Sequence, residues 1–207
     1  MTHTTGRPPF ECKVLNIRGE KLEFYSRDAL ECIRSIYGDL QFAQDLVFAP
    51  ERHYTSCEHT SCLYNEMYTC DWWWTVQVRK LQLCLNEIVT DKLCQTILKS
   101  HQPEAMIVPF IVSSDKTLLT LFRGKTAYPI YMTIGNILKD IGRKPSHQAQ
   151  LLIGYIPTTK LEVNLNKTAC CHALANLFHA CMHAVLGSIS SYDETGVPMM
   201  SGDSIWH

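Results

Sequence analysis

The residues with the most chemical potential lie between positions 106 and 160. Asp115 follows the apolar, β-branched run Met106 to Ser113 and precedes Lys116. A continuous run of this kind suits a strand buried on both faces, and a carboxylate just past its C-terminal end has few structural duties. Asp115 is therefore the first candidate for function, and Lys116 beside it could screen or steer a phosphate. Arg123, Lys125, Lys139, Arg143 and Lys144 make the same stretch locally basic. Such charges form either a solvated polar face or a set of phosphate contacts, and the solvated face is the commoner case.

Two further constellations carry metal-capable side chains. Cys57, His59, Cys62 and Cys70 give C-x-H-x2-C-x7-C, four zinc-capable ligands in a short span. The spacing is not that of the common fingers or ribbons, so coincidental reduced thiols are the simpler reading. His172, His179 and His183 fall in one late helical segment. His179 and His183 are four apart and share a helix face, the geometry of a two-His metal site, but the glutamate of H-E-x-x-H is missing. The favoured reading of these three is histidines at the edge of the core. There is no Walker motif, dinucleotide Gly-rich loop or G-x-S-x-G elbow, so nucleotide-loop and serine-hydrolase chemistries have no support.

Composition bounds the rest. At 207 residues, with 46% hydrophobic and 19% charged residues, the chain is long enough for one domain with a core. A net charge of -1 gives no global attraction to nucleic acid, so polyanion binding would need a local patch. The N-terminus lacks the basic start and apolar core of a signal peptide. No window approaches about 18 consecutive apolar residues, so no membrane span is expected and the compartment is nuclear or cytoplasmic. The ten cysteines are then expected as reduced thiols or buried small hydrophobes.

The elements that must position these residues follow from period and punctuation. Residues 1–9 are polar and Pro/Gly-rich, a disordered tail. Lys13 to Tyr25 reads as a hairpin turning at Arg18 and Gly19. A helix follows with Ser26 as N-cap, its apolar positions Ala29, Leu30, Ile33, Ile36 and Tyr37 closing at Gly38. A short helix is expected near Leu40 to Leu46. Trp72, Trp73 and Trp74 cannot all face one side of a regular element, so at least one is exposed or packs against another segment, and indoles anchoring a core are favoured over a base-stacking platform. Gln82 to Ser100 has helical spacing. Three strands are expected over 106–113, 127–134 and 150–156, separated by turns at Gly124, Gly135–Asn136 and Pro145. Ala169 to Leu186 is a helix with the stripe Leu174, Leu177, Phe178, Cys181, Met182 and Val185. The fold class is α+β.

At SSDKTLLTLFRGKTAYPIYMTIGNI, continuing through RKPS and LLIGYIPTTKLE, the chain resembles the transposases of the fungal Plavaka elements, relatives of the CACTA superfamily. KLEFYSRDALECIR, FAPERHY and NEMYTCDWWW upstream, and LANLFHACMHAVL and ETGVPMMSGDSIW downstream, extend the likeness over most of residues 10 to 206. The resemblance implies an RNase H-like fold that cuts DNA with paired Mg²⁺ or Mn²⁺ ions held by a DDE set of carboxylates. Hard ions of this type take oxygen ligands, and two of them about 4 Å apart activate the attacking oxygen and stabilise the leaving one.

Asp115 corresponds to the first acid and so to a Mg²⁺ ligand. Asp203 matches a recurrent family position and is a secondary candidate. The resemblance divides the chain into a hairpin and helical region over 10–81, an apparent insertion over 82–105, and a partial catalytic domain over 106–207: the three-stranded antiparallel start of the sheet plus one crossing helix. The strands that carry the second and third acids in the family are expected beyond His207. The expectation is thus a catalytically inactive transposase fragment. Its partners are transposon-end DNA, bound through Lys116, Arg123, Lys125, Lys139, Arg143 and Lys144, and an intact transposase or a second copy. The alternatives are a non-enzymatic DNA-binding or protein-interaction remnant and a small zinc-binding module on Cys57, His59, Cys62 and Cys70.

Overall fold

A computed structural model describes residues 6–85, 106–120, 125–158, 167–192 and 196–207. Most of the stretch expected as an insertion, and Arg123, lie outside these residues. Strands β1 (Glu11–Ile17) and β2 (Glu20–Ser26) form the expected hairpin, with Glu11 opposite Ser26 and Ile17 opposite Glu20. Its tip is Arg18 at φ 51° and Gly19 at φ 88°. Two positive φ values in a two-residue turn match the right-handed twist of the strands. The Asn16 side chain accepts from Gly19 N at 3.1 Å and holds the tip.

Helix α1 (Ala29–Tyr37) follows, but its cap is not Ser26. Asp28 Oδ1 accepts from Glu31 N at 2.9 Å and satisfies a free N–H of the first turn. Ser26 is instead the last residue of β2, buried and paired with Gly154. The short helix expected near Leu40 is a 3-10 turn, Leu40–Phe42, capped by Asp39 through Gln41 N at 2.9 Å. Strands β3 (His53–Tyr54) and β4 (Cys62–Leu63) make a small ribbon of their own. Helix α2 (Asp71–Leu85) carries the tryptophan run through the position expected to begin an insertion. Trp73 and Trp74 are buried and Trp72 is 53% exposed, one of the two arrangements open to three adjacent indoles.

Strands β5 (Phe110–Ser114), β8 (Pro129–Ile134) and β9 (Leu151–Tyr155) occupy the three expected positions. The short pair β6 (Thr117–Leu118) and β7 (Thr126–Ala127) lies between β5 and β8, and the four-residue helix α3 (Lys139–Gly142) between β8 and β9. The main sheet has the order β1-β2-β9-β8-β5. The hairpin therefore joins the central strands, through Tyr25 opposite Tyr155 and Ser26 opposite Gly154. β8 and β9 are antiparallel, with a register shift at Ile130 and Tyr131. Gly135 N donates to Pro109 O at 2.7 Å and Ser114 Oγ donates to Pro129 O at 2.8 Å, the contact order of antiparallel neighbours for β5 and β8.

β5 departs from the expectation of a strand buried on both faces. It ends the sheet with β8 as its neighbour, and Phe110 and Ile111 remain 37% and 44% exposed. β8 and β9, which have neighbours on both sides, supply the buried Ile130, Met132, Ile134, Leu151 and Ile153.

Helix α4 (Lys167–Ser190) buries Ala173, Leu177, Cys181 and Val185. It packs on β1, where Lys13 Nζ donates to Ala184 O at 3.1 Å. By length and composition alone Thr168–Ser190 is also long and apolar enough to cross a bilayer.

The chain divides into two compact units. One comprises Met1–Ser35, Val112–Thr133 and Gln150–Val197, and the other Ile36–Ile111, Ile134–Ala149 and Pro198–His207.

Candidate functional site

Asp115 occupies the two-residue link between β5 and β6 and is exposed. The preceding Ser114 fixes the strand end by donating across to Pro129 O, so the chain leaves β5 from an anchored point. Asp115 has no hydrogen-bond or ion-pair partner among the described residues. Lys116 follows it, also exposed. The hairpin continues with Thr117 opposite Ala127 and Leu118 opposite Thr126, then Leu119 N donates to Lys125 O at 2.8 Å. One anchored hairpin thus carries a free carboxylate and two exposed cations, Lys116 and Lys125. A carboxylate with both oxygens free is a hard ligand suited to Mg²⁺ or Mn²⁺, and the cations suit phosphate oxygens.

Of the described basic candidates, Lys139, Arg143 and Lys144 belong to the second unit. Lys139 is not a free cation: its Nζ donates to Asn65 O at 2.7 Å, and its backbone N to Glu66 Oε2 at 3.1 Å. These bonds attach α3 to the 3-10 turn Met67–Thr69, so Lys139 is a structural tie. Arg143 and Lys144 are exposed just beyond α3. The turn before α3 is fixed by the buried Asn136, whose Nδ2 donates to Val47 O at 2.8 Å and Ile107 O at 3.3 Å.

Asp203 has a different setting, in a tight turn closed by mutual backbone bonds between Met199 and His207 at 2.9 and 2.8 Å. Ser201, fully buried, donates through Oγ to Asp203 Oδ1, which also accepts from Ile205 N at 3.2 Å. His207 Nε2 lies 2.9 Å from the same Ser201 Oγ. A hydroxyl has one proton, so with it directed to Asp203 the oxygen accepts from the Nε2–H tautomer of His207. The imidazole stacks on Phe48 with centroids 4.9 Å apart and meets the edge of Tyr37 at 6.0 Å. The Ser201 hydroxyl holds the Asp203 carboxyl below its usual range, while burial holds His207 below the usual imidazole value. Sequence reasoning singled out Asp203 but missed its partners. The only signal was the local S-x-D-x3-H spacing.

The four zinc candidates are not gathered. His59, at φ 57°, stacks on Tyr54 with centroids 4.4 Å apart. Cys57 is exposed, Cys62 sits in β4, and Cys70 precedes α2. Tyr64 donates to Asp71 at 2.8 Å, and this bond, with Cys62 nearby, pushes the phenol up to about 12. Among the described residues no group of three or more His, Cys, Asp or Glu is arranged to hold a metal ion. The cysteines of these residues are free thiols, and burial pushes Cys32 up to about 11 and Cys181 to about 12, which keeps both protonated and inert.

The Plavaka transposase family model matches residues 2–207. The chain belongs to the Plavaka transposase family. No curated protein and no solved structure matches it. Membership in the Plavaka family implies a transposase-related function and, in general, DNA as a partner and a divalent-metal requirement. For a Plavaka chain, a carboxylate without internal partners on an anchored hairpin is the feature of most interest.

Proposed function

We propose that this Plavaka chain is part of a DNA-cutting transposase with an RNase H-like core. In this reading Asp115 supplies one metal-binding carboxylate, and Lys116 and Lys125 contact the DNA backbone. The observation that carries the proposal is the exposed Asp115 carboxylate, free of internal partners at the end of β5. The fit to Mg²⁺ or Mn²⁺ is right in donor chemistry and incomplete in number, because one carboxylate does not hold two metals. Residues 1–207 alone are therefore catalytically incomplete, and further acids would have to come from elsewhere. A bound metal pair would supply an activated attacking oxygen and charge stabilisation at the leaving one. The chain's own contribution is to hold Asp115 on a strand end tied down by Ser114 and to hold backbone phosphates beside it.

Among the described residues no strand pairs with the outer edge of β5, and this edge, with Phe110 and Ile111 exposed, supports pairing with a further strand, either from a second copy or from an intact transposase. Arg143 and Lys144 extend the phosphate-binding reading to the second unit.

The test is binding and cleavage of duplex DNA by the purified chain in Mg²⁺ or Mn²⁺ at several salt concentrations. Affinity should fall linearly with salt on logarithmic axes, and Lys116→Ala or Lys125→Ala should each reduce the slope by about 1. Asp115→Ala should leave binding intact, and no cleavage should occur. Metal-dependent cleavage lost in Asp115→Ala would contradict catalytic incompleteness, and salt-independent or absent binding would remove the DNA reading.

A further inference from the structure

Helix α4 carries three histidines that the reading of Asp115 leaves without a role. Between Thr168 and Ser190 it contains no Asp, Glu, Lys or Arg. Its buried stripe is Ala173, Leu177, Cys181 and Val185. At 3.6 residues per turn, His172, His179 and His183 fall within about 40° of one another on the side opposite that stripe. All three are exposed, which corrects the expectation that they border the core. The stripe is centred further round the helix than the sequence suggested: Ala173 is buried and Leu174 is 44% exposed.

None of the three imidazoles has a hydrogen-bond or ion-pair partner among the described residues. His179 meets the edge of the Phe178 ring with centroids 5.8 Å apart, a contact that leaves its nitrogens free. Residues four apart on a helix are neighbours, with Cβ atoms about 6 Å apart, so two imidazoles at this spacing can converge on one ion. Neutral imidazole suits zinc, copper and nickel, whereas Mg²⁺ and Mn²⁺ prefer oxygen.

We propose that His179 and His183 form a two-imidazole site for a divalent transition-metal ion of the Ni²⁺, Zn²⁺ or Cu²⁺ class. His172 lies two turns before His179, about 10 Å along the axis, too far to bind the same ion. With two protein ligands the site is open, and its other coordination positions fall to water.

The test uses Ni²⁺, an ion suited to imidazole, added to the reduced 207-residue chain. Paramagnetic broadening of amide resonances around residues 179–183 reports this site separately from the chain's other histidines and thiols. His179→Ala and His183→Ala should each weaken Ni²⁺ binding there by at least about tenfold, because the second bond of a chelate forms at high effective concentration. His172→Ala should leave binding unchanged. Adding Ala175→His to His183→Ala rebuilds a four-residue pair with His179 one turn earlier, at an exposed position, and should restore binding. Undiminished broadening in both single alanine variants, or no recovery in the re-spaced double variant, overturns the proposal.

Discussion

Asp115 and Asp203 both lie in short connecting segments within two residues of a serine, yet their carboxylates are used differently. Ser201 turns toward its aspartate, and Asp203 accepts both that hydroxyl and the N–H of Ile205. Ser114 turns away, to the carbonyl of Pro129, and leaves Asp115 without a partner among the described residues. A carboxylate that closes its own turn contributes to stability, and in Asp203 both hydrogen bonds fall on Oδ1. A carboxylate on a link anchored by other groups contributes little to stability and is available to a ligand. The contrast separates an acid bonded within its own turn from one without a partner among the described residues, a difference their sequence contexts do not show.

The comparison predicts stability losses around Asp203 and none around Asp115. The largest should come from Gly202→Val. A Cβ at Gly202 would sit against the Asp39 carbonyl, a backbone group with little freedom to move, so we expect a loss of about 3 kcal/mol in chemical denaturation. Ser201→Ala should follow at about 2 kcal/mol, because it leaves Asp203 and His207 without their shared partner.

Acid should act on the same turn in two steps. His207 has a folded value below its usual 6.5, so the unfolded chain takes up that proton first. Its contribution is present above 6.5 and is lost as pH falls from there toward the folded value. Asp203 is likewise lowered, and its contribution, small because it is exposed, is present above about 3.9 and lost as pH falls further. A denaturation series should show both steps, and Ser201→Ala should flatten the lower one. The smallest effect is expected from Asp115→Asn, whose unfolding midpoint should match the wild type.

Local pattern was the part of the fold legible in the sequence. The hairpin at Arg18 and Gly19, the three central strands, α4, and one exposed indole among Trp72, Trp73 and Trp74 each follow from period or turn chemistry within a few residues. Pairing between distant segments was not legible. Period-two alternation does not encode which strand lies alongside, so the β2–β9 contact that draws the hairpin into the sheet went unseen. The same contact took Ser26 into a strand and left capping to Asp28.

Of the candidate site, Asp115 was legible as an acid at a strand end, but the exposure of β5 was not, because an apolar run does not reveal whether its strand has one neighbour or two. The tie between Lys139 and Asn65 was likewise hidden, since a lysine's partner 74 positions away in sequence leaves no local mark. His179 and His183 were visible as a pair, and the fold supplied the side on which they lie.

The central claim is that Asp115, and not Asp203, is the carboxylate available to a metal. Mn²⁺ added to the isotope-labelled chain would broaden backbone resonances near any carboxylate that binds it. Broadening should centre on residues 113–118, spare residues 201–205, and disappear from the first segment in Asp115→Asn. Broadening centred on Asp203, or unchanged around residue 115 in the variant, would contradict the claim.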